Sequence, residues 1–272
     1  MLAAMAFTFS AQAQELPAPS PYAEVMQRVG LTDVTIEYSR PGVKGREIFG
    51  GLLKDGIVWR TGANATTTIT FSTEATIGGE KVEAGTYAIF TKLTANNWVL
   101  LLNRDTKASE GTYDASKDVA KIALKVEKTN SLVENMTFSF VNTQINSAEL
   151  KFEWENSTWS VPIEVESKKM AMKNIEDKMK EGDVSYGTYH ASASYYLSNN
   201  IDLDKALEWS KKSVEMSPQY WNTMVLSKIY AAKGDKKNAI KTAKKGIELS
   251  EAAGSEVYVK MNKENIEKWS KK

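Results

Sequence analysis

The chain contains no cysteine, which excludes disulfides, thiolate zinc sites, iron–sulfur clusters and a cysteine nucleophile together. It has a single histidine, His190, so a multi-histidine metal centre is excluded as well. Net charge is nearly absent too. Thirty-five basic residues face 34 acidic ones, and the resulting +1 supplies no field for holding a nucleic acid or an anionic membrane surface. No stretch approaches ~18 uncharged apolar residues, so no membrane span is expected. There is no P-loop, dinucleotide fingerprint, G-x-S-x-G or H-E-x-x-H motif, and no cofactor is expected. What the 272 residues do offer is apolar content of 42% and aromatic content of 10%, enough for real cores and for about two domains.

Residues 1–13 read as a secretory signal peptide: an apolar run from Met1 to Ser10, then Ala11-Gln12-Ala13 as a small-x-small cleavage site. The basic start of such a peptide is missing, as a late-assigned start would explain. The mature protein is expected to be soluble and exported, periplasmic or secreted. Residues 14–32, with Pro17, Pro19 and Pro21, read as a linker.

From Asp33 the pattern is β. Val34–Ser39 alternates, Thr66–Phe71 is nearly all β-formers, and Thr76–Val82 carries a Gly78-Gly79 hairpin turn. Further strands are expected at Ile57–Trp59, Tyr87–Thr91, Trp98–Leu102, Ile122–Glu127, Met136–Val141, Ala148–Trp154 and Trp159–Val165, with the hairpin loop between Tyr87–Thr91 and Trp98–Leu102 carrying Asn96-Asn97. Nine or ten short strands without intervening helices predict an antiparallel sandwich or barrel over residues 33–166.

At about Ser167 the hydrophobic period changes from two to about 3.6 residues, and helices are expected over residues 167–272. Asp204-Lys205-Ala206-Leu207 recurs as Lys237-Asn238-Ala239-Ile240, thirty-three residues on, and Tyr196 and Tyr230 recur at about that period. The tail resembles two degenerate tetratricopeptide repeats with flanking helices. The fold class expected is therefore α+β multidomain: an antiparallel β-sandwich followed by an all-α helical-hairpin domain. Residues 167–272 carry 20 lysines and 14 acids, a surplus that solvated helix faces explain.

The chemically distinctive segment is Tyr38–Thr66. It holds Arg40, Arg46 and Arg60, three of only five arginines in the chain, among six glycines. Arginine's planar fork serves fixed bidentate contacts, so the clustering points beyond surface charge. Arg40, Lys44, Arg46, Arg60 and Asn64, with Trp59 as an apolar wall, could line a pocket for an anionic or sugar ligand. The competing reading is that each arginine pairs with an acid such as Glu37 or Glu47 and pins the glycine-rich loops. His190 lies far away in sequence with no serine–acid partner marked. Asn200-x-Asp202-x-Asp204 starts like a calcium loop but has Lys205 and Lys211 where glycine and glutamate belong, so no metal site is assigned.

Ser39-Arg40-Pro41, Lys44-Gly45-Arg46, Phe49-Gly50 and Val58-Trp59-Arg60-Thr61-Gly62-Ala63-Asn64 resemble the signature of domain of unknown function family 2911. Ala84-Gly85-Thr86-Tyr87, Ile89-Phe90-Thr91, Trp98 and Asn103 fit it too, and the resemblance runs from about residue 20 to 165. Leu53-Lys54-Asp55-Gly56 departs from it, where the family more often has proline and tyrosine. The resemblance implies an exported bacterial protein often followed by helical repeats, but no reaction and no catalytic residues. The expectation is a non-catalytic ligand- or partner-binding sandwich whose helical tail meets another envelope protein. The alternative is a hydrolase or lyase acting on polysaccharide or envelope material.

Overall fold

The computed structural model describes residues 16–94 and 98–271. The expected signal peptide, the start of the expected linker and the Asn96-Asn97 loop lie outside the described residues. The chain divides into two compact units between Met170 and Ala171.

The first unit is two antiparallel sheets. One has the order β1 (Tyr22–Val29), β2 (Thr32–Ser39), β4 (Thr68–Phe71), β7 (Gly85–Lys92), β8 (Trp98–Asn103), β9 (Asp118–Leu124). A short β3 (Val58–Trp59) pairs with the far end of β7, at Thr91 and Lys92. The second sheet runs β10 (Glu127–Val141), β11 (Ser147–Glu164), β5 (Ala75–Ile77), β6 (Glu80–Val82). Alternation decides which face is inward. Val34, Ile36 and Tyr38 on β2 and Leu150, Phe152 and Trp154 on β11 all enter one shared apolar core. Aromatic rings fill it, with Trp59 stacked on Trp154 at 5.6 Å and Phe152 on Trp159 at 5.1 Å. At the β5–β6 turn Gly78 and Gly79 both have positive φ, 57° and 89°. A Cβ on Gly78 would also fall 2.4 Å from Ile122 Cγ2, so the position has room only for hydrogen.

Three readings of the sequence change. Ile122–Glu127, expected as one strand, divides between β9, which ends at Leu124, and β10, which starts at Glu127 in the other sheet, because the chain crosses between sheets there. Residues 22–29, taken as linker, form edge strand β1, paired along its whole length with β2. Its inward positions include Ala23 and Gln27, which blur the period-two signal beside three prolines. The segments Ala148–Trp154 and Trp159–Val165 are one 18-residue strand, β11. Glu155, at φ 54°, marks the irregularity that made it read as two.

The second unit is helical. The helix α1 (Ser167–Met179) crosses the division, followed by α2 (Tyr186–Ser198), α3 (Leu203–Met216), α4 (Tyr220–Ala232), α5 (Lys236–Ala252) and α6 (Glu256–Ser270). The pairs α2–α3 and α4–α5 repeat one design at a spacing of thirty-three residues. Asp202 caps α3 by accepting from Lys205 N, and Asp235 caps α5 by accepting from Asn238 N. The buried small residues Ala206, Ser210 and Ser213 of α3 recur as Ala239, Ala243 and Gly246 of α5. Small side chains at one helix's crossing face let the neighbouring backbone come close. Among the described residues, no helix is long and apolar enough to cross a membrane.

Candidate functional site

The segment between β2 and β4 is where the six predicted site residues fall, and the structure divides them. Pro41–Val43 runs against β10: Met136 N donates to Pro41 O at 3.0 Å and Val43 N to Glu134 O at 2.8 Å. Arg40 locks that contact, donating from Nε to Met136 O (2.9 Å) and from Nη2 to Thr137 Oγ1 (2.6 Å). Arg46 closes its own turn, Nε to Val43 O (3.0 Å) and Nη2 to Gly42 O (2.6 Å). Lys44 donates its backbone N–H to Glu134 Oε1 and its ammonium to Pro19 O. Both of these arginine forks thus meet backbone carbonyls and, for Arg40, a hydroxyl in place of a carboxylate, which a guanidinium fits because its donors are planar and fixed. The carboxylates expected for them, Glu37 and Glu47, are not their acceptors.

Residues 60–67 are an excursion between β3 and β4, both of which border β7. Trp59 points inward, only 4% exposed, and donates Nε1 to Gly62 O at 3.1 Å. It belongs to the core and forms no wall of an open pocket. Thr61 and Asn64 have left-handed φ of 55° and 58°, a strained state for residues with a Cβ. Thr67 Oγ1 donates to Thr61 O at 2.8 Å, and a Cβ on Gly62 would come 2.6 Å from that same hydroxyl, so the turn needs glycine there. Arg60 and Asn64 do meet: Arg60 donates Nη1 to Asn64 O and Nε to Glu110 Oε1, the latter at 2.8 Å. Asn64 Nδ2 in turn reaches Ser20 O and Ser39 Oγ.

Glu110 was not legible as a partner. It arrives on a flap, residues 104–117, that folds over the outer face of the larger sheet. Ala108 and Tyr113 of the flap cover Ala88, Phe90 and Leu101 there, forming a second small core. Asp118 anchors its base, accepting from Asn103 Nδ2 (2.8 Å) and Tyr113 Oη (2.6 Å). Burial first, then that bond, pushes the Tyr113 phenol well above its ordinary value. The tip is clasped by Arg60–Glu110 and by Thr66 Oγ1 donating to Ala108 O.

Beside the flap lies an open groove of about 300 Å³ on the outer face of β1, β2, β4 and β7. Tyr22, Glu37, Ser39, Thr68, Thr86 and Thr106 line it. Two larger hollows are bordered by lysine–glutamate ion pairs, one by Lys125–Glu127 at 2.6 Å and the other by Lys260–Glu264 at 4.0 Å. The groove is different because several of its polar groups are not so engaged.

His190 is in the helical unit, its ring 4.4 Å from that of Trp221, with Nδ1 buried and unpartnered. Burial lowers its pKa. Among the described residues no group of three or more His, Asp or Glu side chains could hold a metal ion. Asp202, from the sequence that starts like a calcium loop, is the α3 cap.

Residues 20–163 match the family described as protein of unknown function (DUF2911). No curated protein and no solved structure matches the chain.

Proposed function

The chain belongs to the DUF2911 family, whose description names no reaction, and we propose from its own residues that it is an exported, non-catalytic ligand-binding sandwich carrying a helical protein-interaction tail. The observation that supports binding is the groove beside the clasped flap. Arginine forks and a glycine-requiring turn hold its surroundings in fixed geometry, which lowers the ordering cost when a ligand arrives. Export rests on the apolar run Met1–Ser10 and the Ala11-Gln12-Ala13 site, and predicts a mature terminus at or near Gln14 by mass spectrometry. An intact Met1 on protein recovered from the cytosol would overturn that part. For the tail, the thirty-three-residue recurrence of caps and small buried residues supports a tetratricopeptide-like array, a scaffold suited to another envelope protein.

One observation favours the hydrolase or lyase alternative. Glu24 and Glu37 face each other directly across β1 and β2, and Tyr22 Oη reaches both, at 3.3 and 2.8 Å. The bond to Glu37 is the main cause that pushes the Tyr22 phenol up to about 12, so it stays protonated and donates rather than attacks. The test is to expose the full chain to an array of envelope polysaccharides, peptides and sugar acids and to follow both retention and turnover. Retention without new reducing ends supports the binding module. Release of reducing ends that disappears in Glu37→Gln supports the hydrolase instead.

A further inference from the structure

Resting on the binding-module reading, we infer that the groove on the outer sheet face takes an uncharged polyhydroxyl ligand, a neutral glycan chain, and that the arginine segment beside it binds no anion. The inventory of free hydrogen-bonding groups carries this. Thr68 and Thr106 make no hydrogen bond through their hydroxyls among the described residues, so each offers one donor and two acceptor lone pairs. Ser39 Oγ accepts from Asn64 Nδ2 at 3.3 Å and keeps its own proton to donate. Thr86 shares a hydrogen bond with Thr70 at 2.9 Å, which fixes its position while leaving lone pairs open. Glu37 accepts from Tyr22 through Oε1, and its Oε2 makes no bond among the described residues. A lining in which the same groups both donate and accept matches sugar hydroxyls, which also do both.

The charge decides against an anion. The one ionised group lining the groove is the Glu37 carboxylate, and a second carboxylate, Glu24, stands directly across from it. A ligand carboxylate or phosphate would enter a negative field with no cation facing it from the lining. The nearby forks are engaged: Arg40 on Met136 and Thr137, Arg46 on Val43 and Gly42, Arg60 on Glu110 and Asn64. Redirecting any of them would leave carbonyls or a carboxylate without their donor. The apolar component is also present. Tyr22 is 62% exposed at the groove, and its hydroxyl is held by Glu37, so its ring is a positioned platform for the C–H face of a pyranose. At about 300 Å³ the groove is at the small end of ligand sites, and it is open, which suits a segment of a chain better than an enclosed metabolite.

The experiment titrates the full chain, by calorimetry and by NMR, with cellohexaose, maltohexaose and chitohexaose, and with oligogalacturonate and a heparin hexasaccharide as anionic comparators. The expected result is binding of at least one neutral hexasaccharide, unchanged between low and high salt. Thr68→Val, Thr106→Val and Tyr22→Ala should each weaken it about tenfold, the loss of one well-made contact. Circular dichroism identical to wild type identifies which of the three variants are folded and count. Preferential, salt-sensitive binding of an anionic chain overturns the inference while leaving the module reading in place. So does neutral binding that all three folded variants retain, because the site is then elsewhere. Silence from every oligosaccharide overturns the inference too, and silence across the wider array as well overturns the module reading with it.

Discussion

Replacing Arg60 by alanine removes the fork that joins the flap to the left-handed turn. Arg60 and Glu110 have side-chain exposures of 31% and 36%, so the pair is neither on the open surface nor buried. A fully exposed pair contributes roughly 0.2–1 kcal/mol. A buried partner left uncompensated costs roughly 3–5 kcal/mol, which solvent at one-third exposure prevents. The second prong, to Asn64 O, also steadies a residue at φ 58° whose strain the turn must hold. Together these give a cost of about 2 kcal/mol for Arg60→Ala, the range of a charge-assisted hydrogen bond plus a screened ion pair. In a domain of this size that lowers Tm by about 4–8 °C. Arg60→Lys should recover about half, because an ammonium keeps the charge but cannot span Glu110 Oε1 and Asn64 O at once. Adding Glu110→Ala to Arg60→Ala should then cost less than about 0.5 kcal/mol more, since the partner is already lost. Thermal unfolding followed by tryptophan fluorescence reads all three. An Arg60→Ala protein melting within about 1 °C of wild type would refute the structural role of the fork.

Two further outcomes follow from the helical unit. Ala206 and Ala239 are both fully buried at equivalent crossings, so Ala206→Leu and Ala239→Leu should each destabilise it by about 1–3 kcal/mol, read as an earlier loss of helical dichroism; an unshifted transition in either variant would show that the crossing is loosely packed. His190 is held below its ordinary pKa by burial, so the unfolded chain binds more protons, and stability present above about pH 6.5 is lost as the pH falls through the folded value. Urea midpoints at about pH 7.5 and about pH 5.5 should therefore differ more for wild type than for His190→Gln, and equal differences would rule His190 out as the source.

What was legible in the sequence was local chemistry. Gly78-Gly79 announced its turn because both positions need positive φ, and the Asp202 and Asp235 caps lie just before the recurring helical stretches the sequence marked. Edge strand β1 was hidden because Ala23 and Gln27 occupy inward positions that usually carry larger apolar residues. Trp59 looked like a pocket wall because it adjoins Arg60, although alternation along the strand sends the two side chains to opposite faces. The acceptor of Arg60 could not be read at all. Glu110 is fifty positions away and comes within reach only because the flap has apolar residues, Ala108 and Tyr113, to bury on the sheet. The groove was missed for a related reason: Thr68 and Thr86 are ordinary strand residues set side by side only by the pairing of β4 and β7, and Thr106 reaches them only because the flap folds over the sheet.

The stacked indoles of Trp59 and Trp154 give the sandwich a spectroscopic label of its own. Their ring planes are 23° apart with centroids 5.6 Å apart, close enough for the two electronic transitions to couple as one exciton. The remaining indoles at this core, Trp98 and Trp159, meet phenylalanine rings. Of the three indoles of the helices, Trp209 and Trp221 meet tyrosines and His190, and Trp269 stacks on no ring among the described residues. A paired-sign couplet in the ultraviolet dichroism therefore belongs to one contact, between β3 and β11. It vanishes when those strands separate, whatever the helices do, so a single spectrum follows the sandwich core and the helical unit as two separate signals.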